Sequence, residues 1–102
     1  MKSVALRDKD LLALREALRR FPSVREVRVF GSRATGSARR ASDLDVAISA
    51  PNATAAEWAD LFEAIEEAPI IYELNLVRLD QSLSARLRAR IEREGITVYP
   101  EE

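Results

Sequence analysis

Two short stretches of this chain carry residue types that can do chemistry. The first is Gly31-Ser32-Arg33-Ala34-Thr35-Gly36, and the second is Ser42-Asp43-Leu44-Asp45. A glycine at the end of an apolar strand lets the backbone turn sharply and approach a ligand. The Ser32 hydroxyl and neighbouring backbone N–H groups can donate to phosphate oxygens. Arg33 offers a charge-assisted bond to phosphate, as do Arg39 and Arg40, and Gly36 is a second permissive position. In the second stretch Asp43 and Asp45 alternate with Leu44 and Val46. On a strand both carboxylates then share one face, with Cα atoms about 6.5–7 Å apart. Carboxylates at that spacing converge on one divalent cation or on two neighbouring ones. Each stretch alone has an ordinary explanation. An isolated Asp-x-Asp is usually a pair of solvent-facing acids at a strand edge, and a Gly-Ser turn is usually a plain connection with surface arginines.

The elements that must position these residues follow from periodicity. Leu11, Leu14, Leu18 and Phe21 recur at helical steps. Asp8 and Asp10 suit the first turn of that helix, Arg19 and Arg20 its last, and Pro22 ends it. Val27 and Val29 alternate with Arg28 and Phe30, which predicts a strand up to Gly31. Residues 36–41 are short and basic and read as a turn of helix. Leu44, Val46 and Ile48 predict a second strand, which Pro51 and Asn52 break. Thr54-Ala55-Ala56-Glu57 has capping-box spacing, and Trp58, Leu61, Phe62 and Ile65 follow as one apolar helical face ended by Pro69. Residues 70–79 predict a third strand. Ser82 or Ser84 caps a last helix with Leu83, Leu87 and Ile91 on its buried side, and Gly95 stops it. Residues 96–99 make a short final strand. The order α-β-(α)-β-α-β-α-β predicts an α/β domain, a small mixed sheet flanked by helices.

Bulk properties narrow the chemistry. At 102 residues one domain spanning the whole chain is expected. Apolar residues make up 47% and charged residues 32%, a globular composition. The formal net charge of −1 provides no global field toward nucleic acid or an anionic membrane. Cysteine and histidine are both absent from the sequence, which excludes disulfides, thiolate sites and histidine-ligated zinc. Oxygen ligands and hard cations such as Mg2+ remain. No apolar run reaches the ~20 residues of a membrane span, the first residues lack a secretory apolar region, and a cytoplasmic location is expected. The arginines at 86, 88, 90 and 93 form Arg88–Glu92 and Arg90–Glu94 pairs at helical spacing, read as a solvated face or a docking surface for an acidic partner or RNA. Without interleaved aromatics, direct nucleic-acid binding is not expected.

Taken together, Gly31-Ser32, ten intervening residues, and Asp43-Leu44-Asp45 resemble the signature of the DNA polymerase β-like nucleotidyltransferase superfamily. The chain length is similar to that of its minimal nucleotidyltransferases. The resemblance implies a polymerase β palm-like fold in which Gly31 and Ser32 hold the triphosphate of ATP or another nucleotide. Asp43 and Asp45 would ligate Mg2+. The implied reaction is attack of an acceptor hydroxyl on the α-phosphorus with loss of pyrophosphate. Many such proteins act as antitoxins that attach AMP to a tyrosine of a HEPN-type helical toxin. The third carboxylate usual in active members falls at Asn75, an amide that brings one neutral oxygen to a metal but no charge and no base. Glu73, two residues earlier on the same face, is the nearest substitute acid. Two expectations therefore stand: a working adenylyltransferase using Asp43, Asp45 and Glu73, or an impaired nucleotide-binding antitoxin that neutralises its partner by contact.

Overall fold

The computed structural model describes residues 4–80 and 82–101, with a Cα radius of gyration of 12.8 Å. Helix α1 (Asp8–Arg19) turns Ala13, Leu14, Ala17 and Leu18 inward, as its helical period dictates. Strand β1 (Glu26–Phe30) leads into a single helical turn, α2 (Ser32–Thr35), and β2 (Leu44–Ser49) follows after a loop. Helix α3 (Ala55–Glu67) starts at a complete capping box. Thr54 accepts the Glu57 N–H at 3.1 Å, and Glu57 accepts the Thr54 N–H at 3.1 Å. Then come β3 (Leu74–Arg78), α4 (Ala85–Glu94) and β4 (Ile96–Tyr99). Ser84 caps α4 by accepting the Leu87 N–H at 3.2 Å. No helix among the described residues is long and apolar enough to cross a membrane.

The sheet order is β3-β2-β1-β4. β1 runs antiparallel to both β2 and β4, whereas β2 and β3 are parallel. The parallel pair requires a long crossover, which α3 supplies. Helices α1 and α3 cover one face of this mixed sheet. There Leu14, Leu18, Trp58, Leu61 and Ile65 pack on Val27, Val29, Leu44, Val46 and Ile48. A smaller cluster lies on the other face, where Ile91 of α4 meets Phe30 and Ala47, flanked by Val77, Leu79, Leu83 and Leu87. The C-terminal end of β1, the N-terminal ends of β2, β3 and β4, and the C-terminal end of α4 all converge at one edge of the molecule.

Two local expectations are corrected. The helical turn is at Ser32–Thr35 rather than at 36–41, because Gly36 takes a left-handed conformation (φ 86°) that ends it. The third strand is Leu74–Arg78 rather than 70–79. Pairing with β2 begins where the Leu44 N–H meets the Glu73 carbonyl at 2.8 Å. Upstream, the Ile70 N–H turns to the Ala68 carbonyl and the Ile71 N–H to Asp10 Oδ1, so this segment has no strand to join.

Candidate functional site

Asp45 is the second residue of β2, between Leu44 and Val46, both of which are fully buried on the α1/α3 face. Alternation therefore sends its side chain to the α4 face, where it is half-buried. Its neighbours across the sheet are Phe30 on β1 and Asn75 on β3. Asn75 Nδ2 donates to Asp45 Oδ1 at 3.0 Å, which fixes the carboxylate. The other oxygen lies against the Gly31 backbone. A Cβ built on Gly31 would sit 2.1 Å from Asp45 Oδ2 and 3.5 Å from Arg90 Nη2. Gly31 also has φ 75° and ψ −157°, a region that side-chain-bearing residues scarcely enter. Sterics and backbone conformation thus both require glycine here, and the carboxylate and the turn share one small space.

Asp43 is exposed and stands one residue before β2. Glu73 is exposed beside it, its carbonyl held by the Leu44 N–H. Asp45 and Asn75 are ladder partners, and Asp43 and Glu73 each immediately precede the first rung, Leu44 with Leu74. Ser32 opens α2, half-buried, and its carbonyl accepts the N–H groups of Gly36 and Ser37. Gly36 is exposed and closes that turn. Among the described residues, no three His, Cys, Asp or Glu side chains form a group able to hold a metal ion. The donors at this edge are two aspartates, an amide and a hydroxyl, an all-oxygen set suited to a hard cation such as Mg2+. The missing Cβ at Gly31 is what lets the Asp45 carboxylate lie against this backbone turn.

Arg33 has a different task from the phosphate contact expected of it. It is only 5% exposed. Its Nε donates to the Ser42 carbonyl at 3.1 Å, its Nη1 to that of Ala5 at 2.7 Å, and its Nη2 to those of Ser42, Arg39 and Arg40 at 2.8, 3.3 and 3.3 Å. The guanidinium lies 3.8 Å from the Tyr72 ring centroid. This planar fork gathers the 37–43 loop and so sets where Asp43 enters β2. The side chains of Arg39 and Arg40 belong to exposed residues of that loop.

Sequence reading also placed Asp10 simply in the first turn of α1. It is 1% exposed and makes a bidentate pair with Arg7, at 2.7 and 2.8 Å. The Arg7 guanidinium holds the Asp10 carboxyl below its ordinary range against the opposing effect of burial, and the Ile71 N–H adds to the lowering. This contact anchors the segment that delivers Glu73.

The expected Arg90–Glu94 pair is present, Nε to Oε1 at 3.2 Å. Glu94 Oε1 also accepts the Gly31 N–H at 3.1 Å across 63 residues of sequence, a contact no local spacing reveals. Arg88 turns instead to the Asp80 carbonyl. A cavity of about 400 Å³ beneath Trp58 and Arg78 lies at the far end of β2 and β3 and shares no residue with the site. A groove of about 410 Å³ bounded by Glu66, Ile70, Ile71, Tyr72, Glu73 and Leu74 adjoins it.

The sequence profile of the family described as "Polymerase beta, Nucleotidyltransferase" matches residues 13–102. The chain belongs to the polymerase β nucleotidyltransferase family. Its fold is similar to a chain in a crystal structure of a toxin–antitoxin pair with AMP-PNP, with a TM-score of 0.64 and 22% identity over 94% of this chain and 76% of that one. A chain of a MntA-HepT toxin–antitoxin structure matches with a TM-score of 0.60 and 21% identity, covering 93% and 74%. A third match is to a complex of tri-AMPylated Shewanella oneidensis HEPN toxin with MNT antitoxin, with a TM-score of 0.59, 21% identity, and 90% and 71% coverage. At these identities the likeness shows the shared fold. No curated protein sequence matches significantly. In this nucleotidyltransferase fold the turn after β1 and the start of β2 meet at one edge, which is where Gly31, Ser32, Asp43 and Asp45 lie.

Proposed function

We propose that this protein is a Mg2+-dependent nucleotidyltransferase that moves AMP from ATP to a tyrosine hydroxyl of a HEPN-type toxin, and so acts as its antitoxin. The observation that carries this reading is the packing of the Asp45 carboxylate directly against the Gly31 backbone, inside the space a Cβ would need. A metal-binding acid and a phosphate-binding turn are useful at that distance only if one ligand engages both. The toxin–antitoxin structures that share the fold, one of them holding an AMPylated toxin, support the choice of acceptor.

In this reading Gly31 and Ser32 hold the triphosphate, and Asp43 and Asp45 hold Mg2+, with the Asn75 side-chain oxygen as a neutral donor. The chemistry that Mg2+ supplies in such a site is charge neutralisation on the transferring and leaving phosphates. The acceptor hydroxyl forms a bond to the α-phosphorus, the bond to the bridging oxygen breaks, and pyrophosphate departs. Glu73, on the open flank beside the groove, is the carboxylate left to take the hydroxyl proton. Orientation and electrostatic stabilisation account for the rate. Incubation with the HEPN partner, ATP and Mg2+ should add adenylyl-sized mass to the partner, and Asp45→Asn should abolish that addition. An unmodified partner refutes catalysis, and modification that survives Asp45→Asn refutes the Asp45-centred site.

A second reading rests on Asn75, whose amide occupies one Asp45 oxygen and brings no charge of its own. Here the chain binds nucleotide but neutralises its partner by forming a complex. An unmodified partner that remains bound to both wild type and Asp45→Asn supports this alternative. Loss of the complex in the folded Asp45→Asn protein counts against it.

A further inference from the structure

An internal carboxylate stands at the Gly31 turn. Glu94, the last residue of α4, accepts the Gly31 N–H at 3.1 Å and is held by Arg90 Nε at 3.2 Å. Its side chain is 19% exposed, and Arg93 Nη2 lies 3.9 Å from its second oxygen. Arg90 in turn lies close to the turn. Its Nη2 is 3.5 Å from the position a Gly31 Cβ would take, and its guanidinium carbon is 5.5 Å from the Phe30 ring centroid. A backbone amide, a guanidinium and an anion in contact make the minimal arrangement for binding a phosphate oxygen. Here the anion comes from the protein.

We propose that Arg90 is a ligand of the nucleotide's phosphate chain and that Glu94 is its built-in competitor. This inference rests on the nucleotide-binding reading above. In the free protein Glu94 occupies the Gly31 amide and engages Arg90. A phosphate oxygen replaces the carboxylate at the amide, and Arg90 swings from Glu94 to the phosphate. The exchange keeps both donors paired throughout. Without nucleotide, the same carboxylate keeps the turn in its binding conformation. The Arg90 side chain is 45% exposed, so it can change partners without disturbing Ile91, which is fully buried one residue later.

The two residues therefore act in opposite directions on affinity. Arg90→Met removes a charge-assisted bond and should weaken ATP–Mg2+ binding about tenfold, the low end for a half-exposed charged pair. Glu94→Gln removes the competing charge, leaves a group able to accept the Gly31 N–H, and should tighten binding by about three- to tenfold. Calorimetric titration of ATP–Mg2+ into wild type and each variant reads both effects, and inorganic tripolyphosphate should follow the same order. If Arg90 and Glu94 only brace α4, both variants lower the melting temperature and leave affinity unchanged or shift it the same way, which overturns the inference while wild-type ATP binding upholds the broader reading. Wild type that binds no ATP overturns both.

Discussion

Gly31 and Gly36 both have positive φ, but for different structural reasons, so replacing each with alanine separates backbone strain from site geometry. At Gly36 (φ 86°, ψ 8°) a Cβ meets nothing within 4 Å. Gly36→Ala should therefore incur only the left-handed penalty, about 1–2 kcal/mol. At Gly31 the backbone lies in a region essentially restricted to glycine, and an alanine there costs about 1–3 kcal/mol. The new Cβ also sits 2.1 Å from Asp45 Oδ2. That clash is relieved by rotating the carboxylate away from the turn, which breaks its bond from Asn75 and takes it off the proposed metal position. Both variants should thus lose stability, Gly31→Ala the more. For a domain of this size each 1 kcal/mol lowers the melting temperature by roughly 4–8 °C. Urea unfolding and ATP–Mg2+ titration on the two variants measure the terms separately. Gly36→Ala should keep near-wild-type affinity once folded, and Gly31→Ala should lose at least about tenfold, the effect of displacing one charged ligand. Wild-type affinity in folded Gly31→Ala would refute the claim that Asp45 and the turn serve one ligand. An unchanged melting temperature in either variant would refute the backbone argument.

Arg33→Met should destabilise the protein by about 2–3 kcal/mol, since it strips partners from carbonyls of Ala5, Arg39, Arg40 and Ser42. It should also speed hydrogen exchange in the 37–43 loop, and unaltered exchange there would contradict the clamp. The Asp10 carboxyl is lowered by Arg7, so its folded-state value lies below the ordinary 3.8. Its contribution is then full above that value and is lost as pH falls through the lower one. Stability measured from pH 6 down to pH 2 should fall less steeply in Asp10→Asn than in wild type, and parallel curves would exclude the pair. Asn75→Asp places a second carboxylate against Asp45. In chelator it should cost about 1 kcal/mol through the lost hydrogen bond and added repulsion, and Mg2+ should restore the melting temperature. A large rise in AMP transfer in this variant would show that the natural chain is catalytically weakened.

The order of elements was legible because each has a strong local period. The α1 face at Leu14 and Leu18, the alternation through Val46, and the capping box at Thr54 are decided within a few residues. Asp43 and Asp45 were legible for the same reason: a strand that buries Leu44 and Val46 must turn its odd-numbered neighbours the other way. What the sequence concealed depends on chain that folds back from elsewhere. Arg33 sits beside the Gly-Ser turn and invites a phosphate role, yet the loop after it curls over and its carbonyls capture the guanidinium. Asp10 reads as an ordinary helix-start acid until the segment before β3 crosses it. The third strand shortens because β2 begins only at Leu44, leaving residues 70–73 without a neighbour to pair with. Arg90 and Glu94 form an unremarkable helical ion pair until Gly31 arrives beneath them.

These concealed long-range contacts share a location in the fold. The functional edge is where three strands begin, one strand ends and α4 terminates. A helix C-terminus carries partial negative charge. The same edge carries Asp43, Asp45, Glu73 and Glu94. Several contacts that local sequence conceals hold these acids or their segments in place. Arg33 fixes the approach of Asp43, Asp10 fixes the segment carrying Glu73, and Arg90 and Arg93 face Glu94. Asn75 belongs in this group as well. An aspartate there would add a fifth carboxylate directly beside Asp45, where the amide donates a hydrogen bond instead. On the proposed reading, an aspartate at this position would favour metal binding and phosphate transfer, and it would remove the hydrogen bond that holds Asp45 in the nucleotide-free protein. That reading predicts that stability of the free site and activity of the loaded one respond to this position in opposite senses.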